Sequence, residues 1–128
     1  QDVTRPMGHT IFVASEVYDW CYSLLTNEDR SYIISECESI AGGMEVGWPP
    51  SRQGAVVGHA GEAQLLRDLL GFGIATYDER PDIYNYVAGR LLSQFIVPRN
   101  TWYPSHTYHQ GDSYGGYRFT WDMVFLSG

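Results

Sequence analysis

Lysine is absent from this chain. All eight basic residues are arginine, set against fifteen aspartates and glutamates, for a net charge of −7. Such a balance argues against broad binding to nucleic acid or anionic membrane, which needs a basic surface. It leaves a narrower use for a few of the arginines, because a guanidinium grips carboxylate or sulfate bidentately. Cysteine is scarce: Cys21 and Cys37 stand outside any CxxC or CxxH arrangement, so a zinc knot is not indicated. Two buried thiols are the preferred reading, and a disulfide between adjacent helices is the alternative. No apolar run reaches the ~18 residues that span a bilayer. The chain opens without methionine, basic n-region or apolar h-region, so it reads as a mature or excised segment whose compartment its N-terminus does not reveal. Strand signals are also few. Val56-Val57 is short, and no Asn-Gly or Asp-Gly hairpin turn occurs.

What is present is helical pattern broken by glycine and proline, with 44% hydrophobic residues, enough for the packed core of one domain. From about Met7 to Leu25 the apolar residues Ile11, Phe12, Val13, Val17, Trp20, Cys21, Leu24 and Leu25 form a helical stripe. Thr26, with Asp29 three residues on, predicts an acidic variant of the capping box at the start of a second helix. Its buried side is expected to carry Tyr32, Ile33, Ile34, Cys37 and Ile40, with Gly42-Gly43 weakening it and Gly47-Trp48-Pro49-Pro50 marking its end. A long segment from about Gly58 to Tyr77 is apolar nearly all round and reads as an inner helix. Gly71 and Gly73 would cost it about 1 kcal/mol each relative to alanine, so close helix packing is expected there. Pro81 suits the first turn of a fourth helix, predicted to end near Val97-Pro98. A Tyr-rich loop over about 99–111 then leads to a fifth helix capped by Asp112 or Ser113. The expected architecture is all-α: antiparallel helix hairpins, as in an αα-hairpin array or toroid.

Two constellations carry chemistry. In Gly58-His59-Ala60-Gly61-Glu62, His59 and Glu62 share one face of a helical first turn. The positive helix end disfavours an imidazolium and helps keep His59 able to accept a proton. The bland alternative is a surface histidine with a glutamate favoured by the helix dipole. The loop Tyr103-Pro104-Ser105-His106-Thr107-Tyr108-His109-Gln110-Gly111-Asp112-Ser113-Tyr114 concentrates proton donors and acceptors with no helical apolar period. Tyr114 begins a helix and Arg118 follows one turn later, an arrangement that favours a phenolate able to take a proton and return it to a leaving oxygen. Here the bland alternative is an aromatic helix start whose hydroxyls find surface partners. His59-x-x-Glu62 and His106-x-x-His109 also have ligand-like spacing, but neither forms an HExxH pattern, and no metal is expected in this segment.

Several blocks together resemble the heparinase II family of polysaccharide lyases (heparinase II/III-like). They are Val17-Tyr18-Asp19-Trp20-Cys21-Tyr22, Gly47-Trp48-Pro49-Pro50, Val57-Gly58-His59-Ala60-Gly61-Glu62, Arg67-Asp68-Leu69-Leu70, and the Tyr-Pro-Ser-His loop through Tyr114 followed by Arg118-Phe119-Thr120. The blocks occur in order and cover nearly the whole chain. The resemblance implies a bacterial, periplasmic or secreted enzyme. Residues 1–128 would then be one piece of an incomplete (α/α) toroid, in a longer chain that also carries β-sandwich domains. It implies β-elimination at the uronic acid of heparin or heparan sulfate. On this resemblance Tyr114 is general acid, and base for one uronate epimer. His59 is base for the other, and Glu62 helps hold the uronate carboxylate. Arg118 and Arg5 fall on active-site arginines, while His106, His109, Gln110, Tyr108 and Trp102 shape the cleft. The implied partners are an anionic polysaccharide and the rest of the same enzyme, not nucleic acid or membrane. A second catalytic histidine and a structural zinc would belong to the β-domain, so this segment needs no cofactor and is expected to be inactive alone. Asp112, Gly115 and Gly116 depart from the family pattern. An acidic side chain at 112 repels sulfate, which points to a less sulfated uronate polymer. Two other readings of the residues are an α/α-toroid glycoside hydrolase using Glu62 and Asp112, and a non-catalytic sugar-binding module stacking Trp48, Trp102 and Tyr103 on sugar rings.

Overall fold

The computed structural model describes residues 4–44, 63–105, 116, 120 and 124. Among these the chain is helical and contains no strand. Helix α1 (Thr4–Trp20) is followed by a 3-10 turn (Tyr22–Leu24) and helix α2 (Asn27–Ala41). A π-helical stretch (Ala63–Leu70) runs into α3 (Gly71–Ala75). Helix α4 (Pro81–Arg90) passes through a second π-helical stretch (Leu91–Ile96) into α5 (Val97–Trp102), and a 3-10 turn (Tyr103–Ser105) follows. No helix among the described residues is long and apolar enough to cross a membrane.

Among the described residues the core is one cluster, to which α1 to α4 and both π-helical stretches contribute. Helix α1 buries Ile11 and Tyr18, α2 buries Ile34, Cys37 and Ala41, the first π stretch Leu69 and Leu70, α3 Phe72, and α4 Ile83 and Val87. The inward face of α1 is thus Gly8, Ile11, Ser15 and Tyr18, rotated away from the expected stripe. Val13, Val17, Trp20 and Leu24 are exposed, Trp20 at 77% and Leu24 at 81%. Hydropathy ranked these residues correctly as apolar but chose the wrong face, because Ser15 can enter a core by donating its hydroxyl to the Ile11 carbonyl (2.8 Å). Tyr32 is likewise outside the core, at 65% exposure, and Ile74 is exposed.

Helix α1 stops at Trp20, short of the expected Leu25. Leu25 and Thr26 are extended, as the next helix's cap requires. The predicted capping box is present: the Asp29 amide donates to Thr26 Oγ1 (3.1 Å), and the Thr26 amide donates to the Asp29 carboxylate (3.0 Å). The Thr26 hydroxyl also donates to that carboxylate (2.8 Å), and this bond, followed by the one from the Thr26 amide, holds the Asp29 carboxyl below its ordinary pKa. The short connection folds α2 back onto α1. Helix α2 ends at Ala41 with Gly42 as its C-cap.

Arg80 fastens α2 to the start of α4. Its Nη1 donates to Glu38, while Nε and Nη2 grip Asp82 at 2.9 Å each. Pro81 takes the first helical position, where its missing N–H costs nothing. The helix does not end at Val97-Pro98, as its sequence suggested. The backbone stays right-handed helical at Leu91 and Val97 and continues to Trp102. Pro98 cannot donate to the preceding turn, and the wider π register immediately before it accommodates that loss. The start of the expected Tyr-rich loop is therefore helical.

The two glycines of α3 differ. A Cβ on Gly73 would lie 2.9 Å from the Tyr84 Cα, so close backbone approach of α3 to α4 demands glycine. A Cβ on Gly71 would meet only the Phe12 ring at 3.9 Å, an ordinary contact. Gly73→Ala should therefore cost about 1–3 kcal/mol in urea unfolding through overpacking. Gly71→Ala should be neutral or gain up to about 1 kcal/mol through helix propensity. Equal effects at the two positions would contradict this packing.

Candidate functional site

Among the described residues, the most deeply buried ion pair lies where α1 packs on the first π stretch. Arg67 and Asp68 interrupt a leucine-rich run, and burial of such a run forces its charges to be paired or neutralised. Asp68 is fully buried, and its Oδ1 accepts from Arg67 Nε at 2.5 Å. Its Oδ2 has no hydrogen-bond partner among the described residues. The carboxylate instead presses against the α1 backbone: a Cβ on Gly8 would overlap Oδ2, and it would come within 3.2 Å of the Met44 methyl. Burial pushes the Asp68 carboxyl from its ordinary 3.8 up to about 6. The hydrogen bond and charge of Arg67 oppose that rise, as does a positive charge on His9. The Arg67 guanidinium lies 5.9 Å from the Phe12 ring centroid, and the His9 and Phe12 rings are 6.5 Å apart. Arg5, His9 and Phe12 fall at i, i+4 and i+7 on one side of α1.

Of the residues singled out in the sequence, Arg5 is exposed on the first turn of α1, and Trp102 is the last residue of α5. Gly8, three residues after Arg5, is the point at which α1 meets Asp68, so the turn carrying Arg5 docks on the chain that follows Glu62. Tyr114, His59, Glu62, Arg118, His106, His109, Gln110 and Tyr108 lie outside the described residues, as do Trp48 and Asp112. Gly116 and Thr120 are helical, and the Thr120 hydroxyl donates to the Gly116 carbonyl at 2.7 Å, in keeping with the fifth helix expected there. Asp68 is a residue that the composition of its neighbourhood could have exposed. An Arg-Asp pair between Leu65-Leu66 and Leu69-Leu70 was a visible sign of buried charge.

Polar groups beside α2 pair with one another. A cleft of about 440 Å³ beside α2 is lined by Arg30, Glu38, Glu79 and Arg80, among others. There Arg30 donates to Asn27 at 2.7 Å and lies over the Tyr22 ring at 4.4 Å, and the Tyr22 hydroxyl donates to Glu79 at 2.7 Å. Tyr18, buried next to Tyr22, has its pKa raised by burial and by Glu79, although its hydroxyl makes no hydrogen bond of good geometry. Both cysteines are free, Cys21 half-buried and Cys37 buried. Burial pushes the Cys37 thiol up to about 11, well away from a reactive thiolate. Among the described residues no three His, Cys, Asp or Glu side chains converge as a metal site. No model of a known protein family matches the chain, and no curated protein matches it.

A raised carboxyl pKa makes stability depend on pH. The folded chain holds the Asp68 proton more tightly than the unfolded one, so this group favours folding most below about pH 4. That contribution is lost as pH rises to about 6, with a span on the order of 2–3 kcal/mol. Asp68→Asn keeps the acceptor for Arg67 and removes the charge. Urea unfolding from pH 4 to 8 should show the decline flattened, with the largest gain over the parent at pH 7–8 and none at pH 4. Parallel curves for the two proteins would show that Asp68 titrates normally.

Proposed function

We propose that this chain is a helical segment of a uronate-polysaccharide lyase of the heparinase II type, part of an incomplete α/α toroid. The observation that carries the reading is the ordered set of blocks, above all Gly58-His59-Ala60-Gly61-Glu62 and the Tyr-Pro-Ser-His loop leading to Tyr114 and Arg118. The packing of α1 against the segment that carries Arg67-Asp68 supports it, because it brings together two distant segments that carry matched blocks. The helix hairpins are the kind of unit from which a toroid is built.

In β-elimination the C5–H bond of the uronate and the C4–O glycosidic bond break while a C4=C5 double bond forms. The proton at C5 becomes acidic only when the neighbouring carboxylate is neutralised or hydrogen-bonded, a role for Glu62 through a shared proton and for Arg118 and Arg5 through charge. His59 or Tyr114 accepts the C5 proton according to the epimer, and Tyr114 delivers a proton to the departing glycosidic oxygen. No water enters the bond cleavage, so the product is an unsaturated uronate. The acidic Asp112 of the Tyr-rich sequence favours substrates of low sulfation by like-charge repulsion.

The full-length enzyme carrying Tyr114→Phe should lose the rise in ultraviolet absorbance from unsaturated product by at least about 10²-fold, the scale of a lost general acid–base. Its thermal midpoint should stay unchanged. Near-normal product formation by that variant, or cleavage that yields only saturated sugar, would overturn the reading.

A further inference from the structure

Helix α1 has two apolar faces. One enters the core through Ile11 and Tyr18. The other points away from it through Val13, Val17 and Trp20, and Leu24 of the following 3-10 turn prolongs it. These four residues recur at i, i+4, i+7 and i+11, a stripe about 16 Å long. Single exposed apolar residues need no explanation, but a contiguous stripe marks an interaction surface. Acidic groups border it. Glu16 lies on α1 one turn from both Val13 and Trp20. Helix α2, packed beside α1, exposes Glu28, Tyr32 and Glu36 at i, i+4 and i+8, opposite its own buried Ile34, Cys37 and Ala41. Among the described residues none of these three glutamates is spent on an ion pair or a side-chain hydrogen bond. The cation of this end, Arg30, is turned onto the Tyr22 ring and Asn27 instead.

We propose that the outward face of the α1–α2 hairpin docks a basic amphipathic helix of a partner protein. The partner's apolar side chains cover Val13, Val17, Trp20 and Leu24, and its lysines or arginines pair with Glu16, Glu28 and Glu36. An amphipathic helix reads a stripe of this spacing with anchors of its own at i, i+3/i+4 and i+7. The sign of the border selects the occupant. A second copy of this chain, with its net charge of −7, would set like charges against one another, and an anionic lipid surface would be repelled. Trp20 is the main anchor, since it is large, rigid and 77% exposed. This inference goes beyond the lyase reading and does not rest on it.

The test uses the full-length protein and a fluorescently labelled leucine–lysine helical peptide of about 18 residues, read by anisotropy. A leucine–glutamate peptide with the same apolar face is the control. The lysine peptide should bind and the glutamate peptide should not. Trp20→Ala with Leu24→Ala should weaken binding at least about tenfold. Glu16→Gln, Glu28→Gln and Glu36→Gln together should weaken it and flatten its dependence on salt. Leu92→Ala, at an exposed apolar residue outside this face, should leave it unchanged. All these side chains lie outside the core, so the variants keep the fold, which an unchanged thermal midpoint verifies. Failure of the lysine peptide to bind, equal binding of both peptides, or binding indifferent to Trp20 and Leu24 would overturn the inference. So would a parent dimer in sedimentation velocity that Trp20→Asp converts to monomer, because the face then belongs to a second copy. None of these outcomes bears on the lyase reading, which stands or falls on its unsaturated product.

Discussion

The Asp68 carboxylate, wedged between Arg67 and the bare backbone of Gly8, is the contact on which the rest of the arrangement depends. It fixes where α1 lies on the first π stretch, because no side chain larger than hydrogen fits at position 8. With that point set, Ile11, Ser15 and Tyr18 follow along the same side of α1 into the core. The neighbours of Gly8 on the helix, Arg5 and His9, are carried to the segment that continues from the His59–Glu62 motif.

Local rules were legible in the sequence wherever a few adjacent residues settle the outcome. Thr26 and Asp29 announce their capping box, Pro81 its helix start, and Gly73 a close approach that its neighbours cannot replace. Features that depend on distant residues were not. The buried face of α1 is chosen by Gly8 meeting Asp68, sixty residues away along the chain, and that choice leaves Trp20 and Leu24 in solvent. The passage of the helix through Pro98 depends on a π register that no local propensity announces. Of the candidate site, Arg5 and the Arg67-Asp68 block are the parts whose surroundings are described, and only the former was read as functional from its sequence. Buried charge is announced by composition but assigned a partner only by tertiary contact.

The chemistry proposed for His59, Glu62 and Tyr114 needs a scaffold that holds cations near an acidic sugar without flooding the site with mobile charge. Arginine in place of lysine throughout suits that need, since a planar guanidinium can be fixed by one carboxylate along one edge. The Arg67–Asp68 pair is built this way, at the expense of a strained titration in Asp68.

The most direct measurement is a double-mutant cycle between Gly8 and Asp68, read by urea unfolding. Alanine normally stabilises a helix interior relative to glycine by roughly 0.5–1 kcal/mol. Packing of Gly8 on the carboxylate predicts the opposite sign for Gly8→Ala, a loss of about 1–3 kcal/mol. Most of that loss should vanish in an Asp68→Ala background, where the obstructing oxygen is gone. A Gly8→Ala effect that is stabilising, or that is the same with and without Asp68, would contradict the contact and with it the placement of the Arg5 turn.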